Sequence, residues 1–113
     1  MNKILPSKHD LKDRVIGILG GMGPLATADF MREIILATPA EGDADHIPVV
    51  LTSNPQIPDR IAPIMKGSGE SPLPALCAQR DLLIGAGARC IAMPCNTAHY
   101  WYDELAADCP VPF

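Results

Sequence analysis

Apolar positions in this chain fall into short runs separated by glycine and proline, and each run has its own period. Val15-Ile-Gly-Ile-Leu19 is continuous and ends at Gly20-Gly21-Met22-Gly23-Pro24, the pattern of a buried strand entering a tight glycine turn. Pro24 suits a first helical turn, and Leu25, Ala26, Ala28, Phe30, Ile34 and Leu36 supply an apolar face up to Thr38-Pro39, where proline stops the helix. Ala40 to His46 is acidic and loop-like, and Ile47 to Ser53 is a second β-branched strand. Between Asn54 and Ser71, Pro55, Pro58 and Pro63 with Gly67 and Gly69 predict a long loop holding one helical turn around Asp59–Lys66.

Leu73, Leu76, Cys77, Leu82, Leu83 and Ile84 recur with helical spacing over Leu73–Ala86, and Gly85 and Gly87 mark the end. Arg89 to Met93 predicts a third strand stopped by Pro94, after which Asn96 or Thr97 would cap a helix running to about Asp108. Val111-Pro-Phe113 reads as the opening of a fourth strand. This order predicts an α/β domain with a parallel sheet, helices on both faces and right-handed crossovers. Residues 1–14 read as a polar leader and 15–113 as the domain, truncated at the start of the fourth strand.

Composition narrows the function. At 113 residues the chain holds one domain, burying roughly 60–70% of its unfolded surface. Nine Lys and Arg against 13 Asp and Glu leave a charge of −4, which argues against a nucleic-acid partner. No apolar stretch reaches the ~18 residues of a membrane span, and Met1 to Arg14 lacks a signal-peptide core, so a cytoplasmic location is expected. The four cysteines, Cys77, Cys90, Cys95 and Cys109, show no paired C-x-x-C spacing and read as free thiols in a reducing compartment.

Ligands of an open parallel sheet gather at the carboxyl ends of its strands, here Gly20–Pro24, Ser53–Arg60 and Pro94–His99. Gly21-x-Gly23-x-x-Ala26 satisfies the dinucleotide fingerprint, yet the second strand ends in Ser53-Asn54, where that fingerprint wants an acidic residue for the ribose. A turn that merely needs small residues accounts for Gly20 and Gly23 equally well. Pro94-Cys95-Asn96-Thr97-Ala98-His99 places a thiol at a strand end and at the start of a helix, where the macrodipole favours thiolate. Such a cysteine can act as a base, and the adjoining N–H groups with Asn96 and Thr97 can hold a carboxylate. Cys95 as a small buried hydrophobe with Asn96 and Thr97 as plain caps, or Cys95 and His99 as two zinc ligands lacking a second pair, remain open. Cys77 and Cys90 read most simply as core.

Ile16-Gly-Ile-Leu-Gly-Gly-Met-Gly-Pro-Leu-Ala-Thr27, His46-Ile-Pro48, Ser53-Asn-Pro-Gln-Ile-Pro-Asp-Arg60 and Met93-Pro-Cys-Asn-Thr-Ala-His-Tyr100, in this order, resemble the aspartate/glutamate racemase family in its aspartate racemase branch. The resemblance covers Val15 to Phe113 and implies one half of a two-domain α/β enzyme that racemises an acidic amino acid without pyridoxal phosphate, metal or other cofactor. It implies one cysteine on each domain, flanking the substrate α-carbon. By the same resemblance Cys95 is the first catalytic cysteine, and Asn96 and Thr97 are contacts of the substrate carboxylate. Arg60 then engages the acidic side chain, and Met22 and Gly23 line the pocket. The second cysteine is not encoded here, so the chain alone is expected to be inactive; a homodimer is one possible assembly. A non-catalytic small-molecule or dinucleotide-binding domain is the alternative.

Overall fold

The computed structural model describes residues 13–113, so the polar leader expected over 1–14 lies outside the described residues apart from Asp13 and Arg14. Three strands, β1 (Ile16–Gly20), β2 (Val49–Ser53) and β3 (Cys90–Ala92), form a parallel sheet in the order β2-β1-β3. Ile16 stands opposite Val49 on one side and Cys90 on the other, and Ile18 opposite Leu51 and Ala92. The helices are α1 (Pro24–Ala37), α2 (Ile61–Lys66), α3 (Leu73–Gly85) and α4 (Tyr102–Ala107), with 3₁₀ turns at Asp43–Asp45 and Thr97–Trp101. None of the described helices is long and apolar enough to cross a membrane.

Successive strand residues point to opposite faces, so Leu19 and Gly20 name the two sides of the sheet. On the Leu19 side a core cluster joins Leu19, Ile91 and Met93 to Leu76 and Leu83 of α3, and to Trp101 and Leu105 around α4. On the Gly20 side lies α1, whose Thr27 approaches so closely that a Cβ at Gly20 would stand 2.3 Å from the Thr27 methyl. Helices therefore cover both faces of a parallel sheet, as the order of elements predicts.

The buried face of α1 differs from the one its large apolar residues suggest. Leu25 and Leu36 are 77% and 61% exposed, whereas Thr27 is 2% exposed and Phe30 and Ile34 are half-buried. Close approach decides this: because Gly20 has no Cβ, the Thr27 side chain packs directly on the strand backbone. Its hydroxyl donates to the Gly23 carbonyl at 2.9 Å and accepts from the Gly21 N–H at 2.9 Å, so its burial leaves no polar group unpaired.

Two further expectations need correction. The segment after β3 begins as a 3₁₀ turn, and Trp101 leaves helical geometry (φ −100°, ψ 18°) before α4 forms, so no single helix runs from Asn96 to Asp108. Asn96 already has helical dihedrals (φ −60°, ψ −49°) and caps nothing through its side chain, because a capping residue must stay extended to turn its side chain back onto the amides. Trp101, at the break, is buried in the core. Val111 to Phe113 is not a strand in the described structure; it contributes one ladder-like bond, from the Ile91 N–H to the Pro112 carbonyl at 2.9 Å. Proline at position 112 has no N–H to return to the ladder.

Candidate active site

Chain order explains where a cleft must open. β2 lies on one flank of β1 and β3 on the other, so the loops leaving β1 and β3 diverge at the reversal of strand order, where open α/β sheets bind ligands. A cleft of about 470 Å³ lies there, lined by Met22 and Ala26 from the β1–α1 turn and by Met93, Pro94, Cys95, Asn96, Thr97 and His99 from the exit of β3.

The β1 turn is shaped by backbone crowding. Gly21 has φ +104°, and a Cβ there would meet the backbone of Asn54 at 2.3 Å. The β1 and β2 exits thus lie against each other, joined by the Asn54 N–H to Gly20 carbonyl bond of 3.4 Å. Gly23 has open space around it, so Gly20 and Gly21, rather than Gly20 and Gly23, are the glycines that packing demands. The Gly21 N–H is already taken by the Thr27 hydroxyl.

On the other wall, the Cys95 Sγ lies 3.4 Å from the Thr97 Oγ1, close enough for a hydroxyl–thiol hydrogen bond. Cys95 is half-buried and packs against the core on its inner side while its outer side faces the cleft. Asn96 is exposed, and its amide makes no hydrogen bond to the described residues, which leaves it free for a ligand. The His99 ring bonds through Nδ1 to the Cys95 carbonyl at 2.7 Å. The ring also stacks on Tyr102, with centroids 6.4 Å apart and planes 11° apart.

Four of the residues singled out in the sequence, Met22, Cys95, Asn96 and Thr97, therefore share one cleft. Gly23 and Arg60 do not line it. Arg60 follows β2, on the far flank of β1, in a loop locked by its own polar residues. Asn54 Oδ1 accepts from the Gln56 N–H at 3.0 Å, and the Asp59 carboxylate accepts from the Ile61 and Ala62 N–H groups at the start of α2. Those two amide bonds, Ala62 first, hold the Asp59 carboxyl below its ordinary value. Arg60 Nη1 donates to the carbonyls of Ile57 and Pro58 at 3.3 and 3.2 Å, while its Nε is buried without a partner.

Ala26, Met93, Pro94 and His99 line the cleft without having been assigned a role in substrate binding. The helical offset of Ala26 from Met22, one turn into α1, is the signal that could have found it. Cys90 and Cys77 are half-buried, with Cys77 packed on the core. Among the described residues no group of three or more His, Cys, Asp and Glu side chains gathers as a metal site.

Comparison with known proteins places this geometry. The chain is 34% identical over 104 residues to the broad specificity amino-acid racemase RacX of Bacillus subtilis (strain 168), covering 87% of this chain and 44% of that protein. It superposes on the aspartate racemase of Picrophilus torridus with a TM-score of 0.74 and 43% identity, over 80% of this chain and 39% of the other. It shares its fold with an aspartate racemase homologue from Pyrococcus horikoshii OT3, with a TM-score of 0.71 at 22% identity, over 88% and 43% of the two chains. The chain thus spans less than half the length of these relatives. A model of the Asp/Glu/hydantoin racemase family matches residues 19–113, and it is to this family that the chain belongs.

Proposed function

We propose that this chain forms one wall of an amino-acid racemase site that acts on an acidic substrate, aspartate foremost, by exchange of the α-proton between two thiols. Cys95 is the thiol of this wall. The observation that carries the reading is the placement of the Cys95 Sγ at the cleft, beside the Thr97 hydroxyl and the free Asn96 amide. A thiolate there removes the α-proton. Asn96 and Thr97 hold the substrate carboxylate, and their donors stabilise the negative charge that develops as the proton leaves. The thiol that returns a proton to the opposite face is supplied from outside this chain. Arg60 is assigned to the side-chain carboxylate by the family resemblance alone, since it lies outside this cleft with Nη1 bonded to its own loop and Nε buried.

The test is calorimetric titration of the chain with aspartate, glutamate and a nicotinamide dinucleotide. Heat from the acidic amino acids that Asn96→Ala abolishes supports the reading. Heat from the dinucleotide alone overturns it in favour of a nucleotide-binding domain.

A further inference from the structure

In an α-helix the N–H of His99 would bond to the carbonyl of Cys95, four residues back. Here the turn is 3₁₀, and the His99 N–H goes to the Asn96 carbonyl at 3.1 Å. The Cys95 carbonyl thereby loses its backbone donor. The His99 side chain replaces it, since Nδ1 stands 2.7 Å from that same oxygen. A carbonyl oxygen only accepts, so Nδ1 must carry the proton.

We propose that His99 is a positioning residue for Cys95, its ring serving as the missing amide donor and fixing the backbone from which the thiol projects into the cleft. The proposal rests on Cys95 being the reactive thiol of the proposed function. Two hydrogen bonds from one residue, N–H to Asn96 and ring to Cys95, close the loop on itself. A third contact secures the ring from behind: Tyr102 stacks on it, and the Tyr102 hydroxyl donates to the Phe113 carbonyl at 3.1 Å. Phe113 in turn meets the Tyr102 ring edge-on at 5.9 Å, and the neighbouring Pro112 carbonyl accepts from Ile91 of β3. The loop that presents Cys95 is thus tied back to the strand from which it emerges.

Two measurements on the 113-residue chain test this. The first is a long-range proton–nitrogen spectrum of the imidazoles at mildly alkaline pH, where a neutral ring shows which nitrogen is protonated. His99 is expected as the Nδ1–H tautomer, the one free histidine disfavours; an Nε2–H ring overturns the proposal. The second compares His99→Asn with His99→Gln, because an asparagine amide sits where Nδ1 does and a glutamine amide where Nε2 does. Under limiting iodoacetamide, His99→Asn should keep most of the wild-type share of label on Cys95. His99→Gln should lose at least about half of that share. Any result in which Asn restores no more than Gln overturns the proposal. Neither measurement depends on turnover, so a chain with the Nδ1–H tautomer and the Asn rescue but no affinity for acidic amino acids would discard the racemase reading and leave the positioning role standing.

Discussion

The Sγ of Cys95 and the Oγ1 of Thr97 stand 3.4 Å apart, two residues apart in the chain and on the same wall of the cleft. Cys95 thus borders the open space of the cleft, which brings its sulfur within reach of a small alkylating reagent. Cys95 should therefore take most of the label when the four thiols compete for limiting iodoacetamide, as read by peptide mass mapping. Thr97→Val keeps the shape and removes the hydroxyl beside the sulfur, and should change the rate of Cys95 labelling. Preferential labelling of Cys77 or Cys90 would count against the assignment.

Thr27 holds the β1 turn by accepting from Gly21 and donating to Gly23. Thr27→Val preserves volume but strands the buried Gly21 N–H, the Gly23 carbonyl keeping its bond from the Thr27 N–H, at a cost of about 1–3 kcal/mol in urea unfolding. Thr27→Ser keeps the hydroxyl and loses a methyl that packs over Gly20. It should cost less than Val, and a Ser variant weaker than Val would mean that packing, not hydrogen bonding, fixes this turn.

Thr27 also shows why some of the fold is legible in sequence and some is not. Strands β1, β2 and β3 stand out because each is a short apolar run bounded by glycine, proline or polar turn residues, and Gly-Gly-Met-Gly after β1 announces a turn. The α1 face was hidden because its depth depends on Gly20 of another element, so a threonine displaces Leu25 and Leu36 from the interior. The 3₁₀ turn after β3 was hidden for a like reason, since Trp101 is drawn into a core assembled from α3 and α4. At the site, Cys95, Asn96 and Thr97 stood out because they follow a strand's carboxyl end, and the family resemblance added Met22. Arg60 could not be placed, because that needs the strand order, which sets β2 on the far flank of β1.

The Asp59 carboxylate, exposed but bonded to the Ala62 and Ile61 amides, titrates below its ordinary value of 3.8. A depressed folded value means that its stabilisation of the α2 start is complete above the unfolded value and fades as pH falls through the folded one. The Ile61 and Ala62 amide resonances should accordingly move together below pH 3.8. Asp59→Asn, which keeps an acceptor but not the charge, should abolish that pH-dependent movement. Movement centred above 3.8 would show that these amide bonds do not hold the carboxylate.

The proposed two-thiol exchange needs an acid on each face of the α-carbon, and in that proposal Cys95 stands on one of them. L-Aspartate incubated with the 113-residue chain should keep its optical rotation over hours. Joining the chain to a second domain that carries the opposing thiol should restore loss of rotation, and Cys95→Ser should remove it again. Loss of rotation of ordinary enzymatic rate with the chain alone would require another residue, or a second copy, to act as the opposing acid.

Arg60 is tied by Nη1 to the carbonyls of Ile57 and Pro58, while Nε is buried without a partner. A guanidinium offers a planar fork matched to a carboxylate, the role that the family resemblance gives Arg60, while in this structure Nε is buried and the residue stands outside the cleft. In a two-domain form carrying both thiols, Arg60→Ala should lower kcat/KM for aspartate by the equivalent of about 2–4 kcal/mol. Arg60→Lys restores charge but not the fork and should recover only part of that loss. Alanine, which has no side-chain carboxylate, is the control, and its slow turnover should barely change. Because Nη1 also braces the loop around the buried Ile57, the alternative outcome is distinct: equal losses for aspartate and alanine, with a lowered melting temperature, would make Arg60 a brace of that loop and not the residue that selects the substrate.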